Sequence, residues 1–499
     1  MNSAFLHSVD EVLAELHALG HFADCSALVT DHRRLGGPRD VLLAVPGERF
    51  DPRNLADDLI RENRCGLVLV EHDAQRAYQS SHVVPVMNLR SMLAELAQRY
   101  YATHEKSPAV IAVTGTNGKT TVTRWLAQAL NALGEQAAVI GTLGYGAPDA
   151  LSPHSGLTTP DVVGVHHLLH ELGRQGVRWV CIEASSIGLD QGRLERVALR
   201  CAAFTNLTQD HLDYHHTMQA YGEAKLILAR WPGLPAAVVN QLDSFGEHFA
   251  AEATRGGARV YRLGAEPQVN AHAIRDLQVH AKGMQFELVG VDETVALNAR
   301  IVGQFNAENL ALVALVLHSC GFAWAAIQRA VGVVTPPPGR MQWVHDQPCV
   351  VVDYAHTPEA LRSVINTLKP LATQAGGRLL TLFGCGGDRD RSKRPQMGQI
   401  AASLSDAVWV TSDNPRGEAP ESIIADILAG ISDQDRGHVQ TEVDRRAAIA
   451  QVLEAAHSND VVLLAGKGHE QTQTIGSLTL AHCDAEIAKD LLTRRRAHA

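Results

Sequence analysis

Ala109-Val110-Ile111-Ala112-Val113-Thr114-Gly115-Thr116-Asn117-Gly118-Lys119-Thr120-Thr121-Val122-Thr123-Arg124-Trp125-Leu126-Ala127 decides the fold of this chain. The stretch opens with an apolar run of strand length and closes on a helical pattern. Between them lies a loop of glycine, threonine and asparagine ending in lysine. Strand, glycine-rich loop and helix form a phosphate cradle. Backbone N–H groups and the positive helix end face the anion, and the lysine adds a point charge. Glycine lets the backbone approach closely because it has no side chain. The Thr120 hydroxyl is placed to reach a magnesium ion. The spacing, G-x-x-G-K-T-T, departs from the standard G-x-x-x-x-G-K-[ST], because Val113 stands where the first glycine would be. Taken alone, the loop suits a GTPase, a kinase or a motor equally well.

Outward from this loop the chain alternates strands and helices. Val177 to Ile182 reads as a buried strand ending at Glu183, and Cys201 to Phe204 as another ending at Thr205-Asn206. Upstream, a helical pattern runs from Val9 to Leu19, with strands over Val41–Val45 and Leu67–Val70. Downstream, strands read Val350–Val352, Leu379–Phe383, Ala407–Val410 and Val461–Leu464, with helical segments between them. Such alternation implies parallel sheets covered on both faces. A polar stretch from Thr103 to Pro108 and the rigid Pro336-Pro337-Pro338-Gly339 mark the breaks. The expected architecture is α/β in three domains. Residues 1–105 come first, then 106–335 with the glycine-rich loop, then 336–499.

The bulk numbers agree. A chain of 499 residues is too long for one core. Apolar residues at 45% and charged residues at 20% describe an ordinary soluble protein. A formal net charge of −10 argues against binding driven by neutralising nucleic-acid phosphates. The eight cysteines form no C-x-x-C pair, which removes support for a zinc ribbon or redox dithiol and fits a reducing compartment. Met1 to Phe5 show no basic signal-peptide start. The apolar stretch Leu310 to Leu317 is far short of the roughly 20 residues a membrane span needs. A cytoplasmic protein without membrane or nucleic-acid partners is expected, with a monomer favoured.

In open parallel sheets, ligands gather beyond the carboxyl ends of strands. This chain places its unusual polar clusters there: Gly384 to Arg391, Ser412-Asp413-Asn414-Pro415-Arg416, and Gly466-Lys467-Gly468-His469-Glu470. Two arginines, an asparagine and a glutamate suit a zwitterion, because guanidinium forks bind carboxylates and a carboxylate binds an ammonium. In the middle block, Glu183 ends a strand parallel to the one feeding the loop, where a nucleotide site needs a carboxylate for magnesium. Taken singly, His211 reads as a hydrogen-bonding turn residue and Lys225 as an exposed helix lysine.

Together these residues resemble the ATP-dependent Mur ligases of peptidoglycan synthesis. The resemblance spans nearly the whole chain and is strongest from about residue 109 onward. It is carried by T-G-T-N-G-K-T-T, by F-T-N-L-x-x-D-H-L-D-Y-H from Phe204 to His215, and by G-x-F-N-x-x-N from Gly303 to Asn309. P-G-R-M at Pro338 to Met341 and D-Y-A-H-x-P at Asp353 to Pro358 add to it. D-N-P-R at Asp413 to Arg416 marks the diaminopimelate-adding branch, since the branch adding L-lysine typically lacks that arginine.

The resemblance implies an N-terminal UDP-sugar-binding domain over 1–105, a P-loop-type central ATPase domain over 106–335 and a Rossmann-like, amino-acid-binding C-terminal domain over 336–499, with roles for single residues. Thr114, Gly115, Thr116, Asn117, Gly118, Lys119 and Thr120 would bind the phosphates of ATP, the co-substrate, with Asn306 and Arg340 holding the nucleotide across the domain junction. Glu183, His211 and Lys225, with Thr120, would organise Mg²⁺, and Lys225 would be carbamylated. Thr158, Thr159, Ser185, Gln191 and Arg193 would contact a UDP-N-acetylmuramoyl dipeptide. Arg389, Asp413, Asn414, Pro415, Arg416, Gly466 and Glu470 would hold meso-diaminopimelate, with Arg416 selecting its distal carboxylate. The activity implied is amide formation through an acyl phosphate, releasing ADP and phosphate.

The chain departs from the family pattern at Ile187, Leu157 and His32, where the family usually has histidine, asparagine and serine. Two of the three lie on the UDP-sugar side. Two further readings compete: a folylpolyglutamate-type ligase, opposed by the D-N-P-R cluster, and a nucleotide-binding scaffold, motivated by Leu157 and Ile187.

Overall fold

Three successive runs of short apolar strands each close into a sheet of their own, and amphipathic helices cover both faces. The computed structural model describes residues 5–498 apart from 48–49, 104–106, 154–155 and 281–282. The Met1–Ala4 start and the boundary expected between residues 105 and 106 lie outside the described residues.

The first sheet has four parallel strands in the order Leu28–Val29, Val41–Ala44, Leu67–Glu71, Val83–Val86. Successive side chains of a strand point to opposite faces. Val41 and Leu43 therefore meet the helices Val9–Ala18 and Leu89–Tyr100, while Leu42 and Ala44 meet the helix Ala56–Arg61.

The central sheet has eleven strands. Seven run parallel in the order Ala271–His280, Arg259–Leu263, Ala236–Asn240, Leu199–Phe204, Ala109–Thr114, Trp179–Glu183, Ala137–Gly141. The strand feeding the phosphate loop is thus interior, with Glu183 ending its neighbour. Antiparallel strands extend both edges: Gly144–Ala147 and Ala150–Ser152 on one, Gly283–Val289 and Thr294–Ala299 on the other. These extensions go beyond the parallel alternation read from sequence. Their strands are buried on one face only, as Thr294–Ala299 shows by strict alternation of exposed and buried positions, so they form no continuous apolar run. The helix Gln304–Ser319 packs against the sheet with Lys119–Ala132 beside it, and Leu310 to Leu317 are completely buried. A helix apolar on every side belongs inside a core. Among the described residues no helix is long and apolar enough to cross a membrane.

The last sheet has the order Gln342–Asp346, Cys349–Asp353, Val461–Ala465, Leu379–Phe383, Ala407–Thr411, Val439–Glu442. Five strands are parallel, and Gln342–Asp346 is an antiparallel edge. A separate hairpin, Thr472–Ile475 with Leu478–Ala481, lies beside the cluster at Asp413 to Arg416. All eight cysteines are free.

Candidate active site

The phosphate loop is held by the strand end next to it. Thr116 N–H donates to the Asn206 carbonyl (2.8 Å) and Asn117 N–H to Asn206 Oδ1 (2.9 Å), while Thr205 Oγ1 donates to the Asn117 carbonyl. A Cβ on Gly115 (φ +150°) would fall 1.8 Å from Thr205 Oγ1, so only glycine fits. Gly118 is the N-cap of the helix Lys119–Ala132. Thr114 is buried at the strand end behind the loop. Lys119 Nζ folds back onto the carbonyls of Gly115 (2.7 Å) and Thr116 (2.8 Å), and burial lowers its pKa.

Glu183 is buried at the end of the adjacent strand. Its Oε2 accepts from Thr120 Oγ1 (2.9 Å) and Thr142 Oγ1 (3.1 Å), and its Oε1 from Thr142 N–H (2.8 Å). Thr142 escaped the sequence reading. Its signal was position, one residue beyond the strand Ala137–Gly141, the next strand over.

His211 adopts a left-handed backbone (φ +53°), and burial pushes its imidazole pKa down to about 4, which keeps it neutral. Lys225 is not the exposed helix lysine that it suggests when taken singly. It is completely buried, 4.2 Å over the Tyr221 ring, and Nζ has no hydrogen-bond partner. Burial, with Lys119 nearby, drives its pKa well below the ordinary lysine value. The helix Met218–Ala229 is buried on the face carrying Tyr221 and Lys225, one turn apart.

These groups share one cavity of about 440 Å³. It is lined by the loop from Thr116 to Thr121, by Glu183, His211 and Lys225, by Asn306 and Arg340, and by Thr158 and Ser185. Asn306 donates to the Val302 carbonyl (2.8 Å), and the Arg340 guanidinium lies 4.1 Å over the Tyr354 ring. Among the described residues no three His, Cys, Asp or Glu side chains are gathered for a metal. The oxygens of Thr120 and Glu183 nevertheless suit magnesium, a hard cation that keeps several waters. A carbamate would turn the partnerless Lys225 amine into a further oxygen donor.

The residues read as UDP-sugar contacts form one web. Arg193 Nη1 donates to the Thr159 carbonyl (2.8 Å), and its Nη2 to Gln191 Oε1 (2.6 Å). Thr159 Oγ1 donates to the Glu183 carbonyl (2.7 Å) and accepts from Ser185 N–H (3.0 Å). The Thr158 hydroxyl lies 3.1 Å from that of Thr142, which links this web to Glu183. Of the departures, Leu157 is exposed and His32 stacks on Phe50 at 5.1 Å.

The third set assembles at the C-terminal strand ends. Asn414 Nδ2 donates to Glu470 Oε2 (2.7 Å). Arg416 Nη1 donates to the Gly387 carbonyl (2.9 Å), and a Cβ on Gly387 would fall 1.8 Å from the Pro415 oxygen. Gly466 abuts Asp413: a Cβ there would lie 2.8 Å from Oδ2. Arg389 sits near Arg416, but its guanidinium is half-exposed and 3.5 Å from Asp213 of the central unit. Two further links cross the same gap. Gln209 Nε2 donates to Asp390 Oδ2 (3.0 Å), and Asp210 Oδ2 lies 3.5 Å from His356 Nε2. Burial alone would raise the Asp210 pKa. The His356 hydrogen bond, with the charges of His356, His211 and Lys393, draws it well below the ordinary carboxylate range. Sequence reasoning did not single out Asp210 or the buried Lys467.

A glycine-rich loop in one α/β unit with a buried carboxylate and lysine beside it, across a gap from a polar cluster at the strand ends of the next, fits the class of nucleotide-dependent ligases. Residues 113–317 match the Mur ligase middle domain and residues 339–468 the Mur ligase glutamate ligase domain. The UDP-N-acetylmuramoyl-L-alanyl-D-glutamate–2,6-diaminopimelate ligase of Ectopseudomonas mendocina is 41% identical over 484 residues, 95% of this chain and 96% of that one. The protein of the same name from Pseudomonas aeruginosa is 42% identical over 463 residues, covering 91% and 92%. A solved structure of a ligase with that name superposes with a TM-score of 0.64 at 34% identity, covering 94% of this chain and 95% of that chain. The MurF ligase of Thermotoga maritima shares the fold at 17% identity, with a TM-score of 0.67 over 96% and 99% of the two chains. The chain belongs to the Mur ligase family.

Proposed function

We propose that this enzyme uses ATP to join meso-diaminopimelate to the D-glutamate of UDP-N-acetylmuramoyl-L-alanyl-D-glutamate, in the cytoplasmic synthesis of peptidoglycan precursors. Residues 1–105 would hold the UDP-sugar end, 106–335 the ATP and 336–499 the amino acid, within a monomer. The observation that carries the reading is the pocket of Asn414, Arg416 and Glu470. It offers a guanidinium for a second carboxylate and a carboxylate for an ammonium.

The chemistry follows from charge. The γ-carboxylate of D-glutamate is ionised at neutral pH and needs no base. Its obstacle is repulsion from the γ-phosphate, which Lys119 offsets from the loop. Magnesium, when bound, supplies the remaining charge neutralisation. Thr120, Glu183, His211 and a carbamylated Lys225 would hold it. The depressed pKa of Lys225 supports the carbamate, because an unprotonated amine can add to carbon dioxide, losing one proton. The carboxylate oxygen attacks the γ-phosphorus and ADP leaves. The free amine of diaminopimelate then attacks the acyl carbon, and phosphate leaves as the amide forms. Thr158, Thr159 and Ser185 would orient the UDP-sugar peptide beside Glu183. Closure of the C-terminal unit would bring the amine to the acyl phosphate and exclude water.

The test is product release. ADP and phosphate should appear only when the UDP-sugar dipeptide and diaminopimelate are both present. Turnover with L-lysine equal to that with diaminopimelate would overturn the choice of acceptor.

A further inference from the structure

Lys467 is a completely buried lysine that the proposed chemistry does not use. Its Nζ donates to Asn414 Oδ1 (3.1 Å) and to Glu470 Oε2 (2.8 Å). An ammonium has only donors, so it can face only the oxygen of the Asn414 amide. Thr474 N–H, also a donor, lies 2.9 Å from the same oxygen. Two donors on Oδ1 force Nδ2 to the other side, where it donates to Glu470 Oε2 (2.7 Å). Both bonds to Glu470 fall on Oε2, which leaves Oε1 and the second Asn414 N–H without a bond among the described residues.

The main chain of this loop is fixed independently. Gln473 Nε2 donates to the Asp413 carbonyl (2.7 Å), Arg416 N–H to the Thr474 carbonyl (3.1 Å), and Gly476 N–H to the Arg416 carbonyl (2.7 Å). The hairpin therefore sets the backbone, while Lys467 acts on the two side chains. An exposed lysine would contribute little to such order, but a buried cation is held to its partners by the cost of leaving it unpaired.

We infer that Lys467 is a positioning residue for the acceptor amino acid: it fixes the Asn414 amide and one Glu470 oxygen so that the other oxygen and the free N–H face the substrate. The inference rests on the reading that Asn414 and Glu470 hold that substrate. It separates Lys467 from its neighbours in the loop, because Lys467 acts through two side chains and touches no ligand.

The experiment is steady-state kinetics on K467M, E470Q and the double variant, with wild type in parallel. K467M should raise the KM for diaminopimelate at least tenfold and leave the KM for ATP and for the UDP-sugar dipeptide within twofold. K467Q, which keeps a donor, should recover part of the loss, and it serves as the test variant if K467M does not fold. The loss in the double variant should be smaller than the two single losses combined, since Lys467 acts in part through Glu470. An unchanged KM for the amino acid in K467M, additive losses in the double variant, or a uniform change in every KM would each overturn the inference. If wild type proves to use another amino acid, the same ratios are measured with that acceptor. The choice of substrate then fails separately from the role of Lys467.

Discussion

Gly339 and Gly468 meet backbone against backbone. A Cβ on Gly339 would lie 2.3 Å from the Gly468 carbonyl carbon and 2.1 Å from the His469 nitrogen. Gly339 ends the Pro336-Pro337-Pro338 run, and Arg340, the next residue, lines the cavity of the glycine-rich loop. Gly468 lies between Gly466 and Glu470, two residues proposed to hold the amino acid. The segment that joins the two units therefore also abuts the turn that carries Glu470.

Gly339→Ala should uncouple them. Neither backbone can yield cheaply, and φ is +67° at this residue. We expect kcat to fall more than about tenfold, a barrier increase of about 1.4 kcal/mol, with the circular dichroism spectrum retained. Wild-type turnover in this variant would show that the contact is incidental.

Thr142→Val removes one hydroxyl from the Glu183 carboxylate and keeps the shape. Hydrogen bonds to charged groups contribute about 1.5–3 kcal/mol, so kcat should drop by roughly one to two orders of magnitude. Thr142→Ser should stay near wild type. Equal rates for the valine and serine variants would remove Thr142 from the site.

Lys225→Ala should lose at least about a hundredfold in kcat, comparable to removing one electrostatic stabiliser of a transition state. Adding a short-chain carboxylic acid should restore part of it by supplying the missing oxygens. Full activity without the acid would contradict the proposed metal-holding role of this lysine.

Arg445 and Asp484 form a completely buried ion pair (2.6 Å). The guanidinium also donates to the Ala465 carbonyl (2.9 Å), just before Gly466. Arg445→Met leaves Asp484 buried without its cation and should cost about 3–5 kcal/mol in chemical denaturation. Replacing both residues with apolar ones should cost less, a difference readable in the denaturation midpoints.

His166 predicts an acid sensitivity. It is completely buried between the Thr103 hydroxyl (2.7 Å) and the Glu195 carbonyl (3.0 Å), and burial lowers its pKa from 6.5 to about 4. The unfolded chain then binds the proton more readily than the folded one. The stabilising contribution is full above pH 6.5 and is lost as pH falls toward 4, roughly 3 kcal/mol across that window. His166→Gln should flatten the denaturation midpoint against pH over this range. A profile identical to wild type would assign the acid sensitivity to other groups.

Much of this was legible in the chain. The phosphate loop, Glu183 at the next strand end, and the three polar clusters of the last sheet all follow from local patterns. An apolar strand, a glycine-lysine turn and a helix start are each set by residues within a few positions of one another. The antiparallel extensions of the central sheet were not legible, because strands buried on one face carry no continuous apolar run.

The sequence by itself determined which strand ends carry charge and which loop has the glycine-lysine pattern of a phosphate cradle, since these depend on short-range periodicity. Only the tertiary structure decided that Lys225 is buried without a partner, that Thr142 holds Glu183, that Lys467 points inward to Asn414, and that Arg389 pairs across the gap with Asp213. Whether a polar side chain is solvated or enclosed is fixed by elements that pack against it from distant parts of the chain. That packing turns a lysine in a helix or a glycine-rich turn into part of a site.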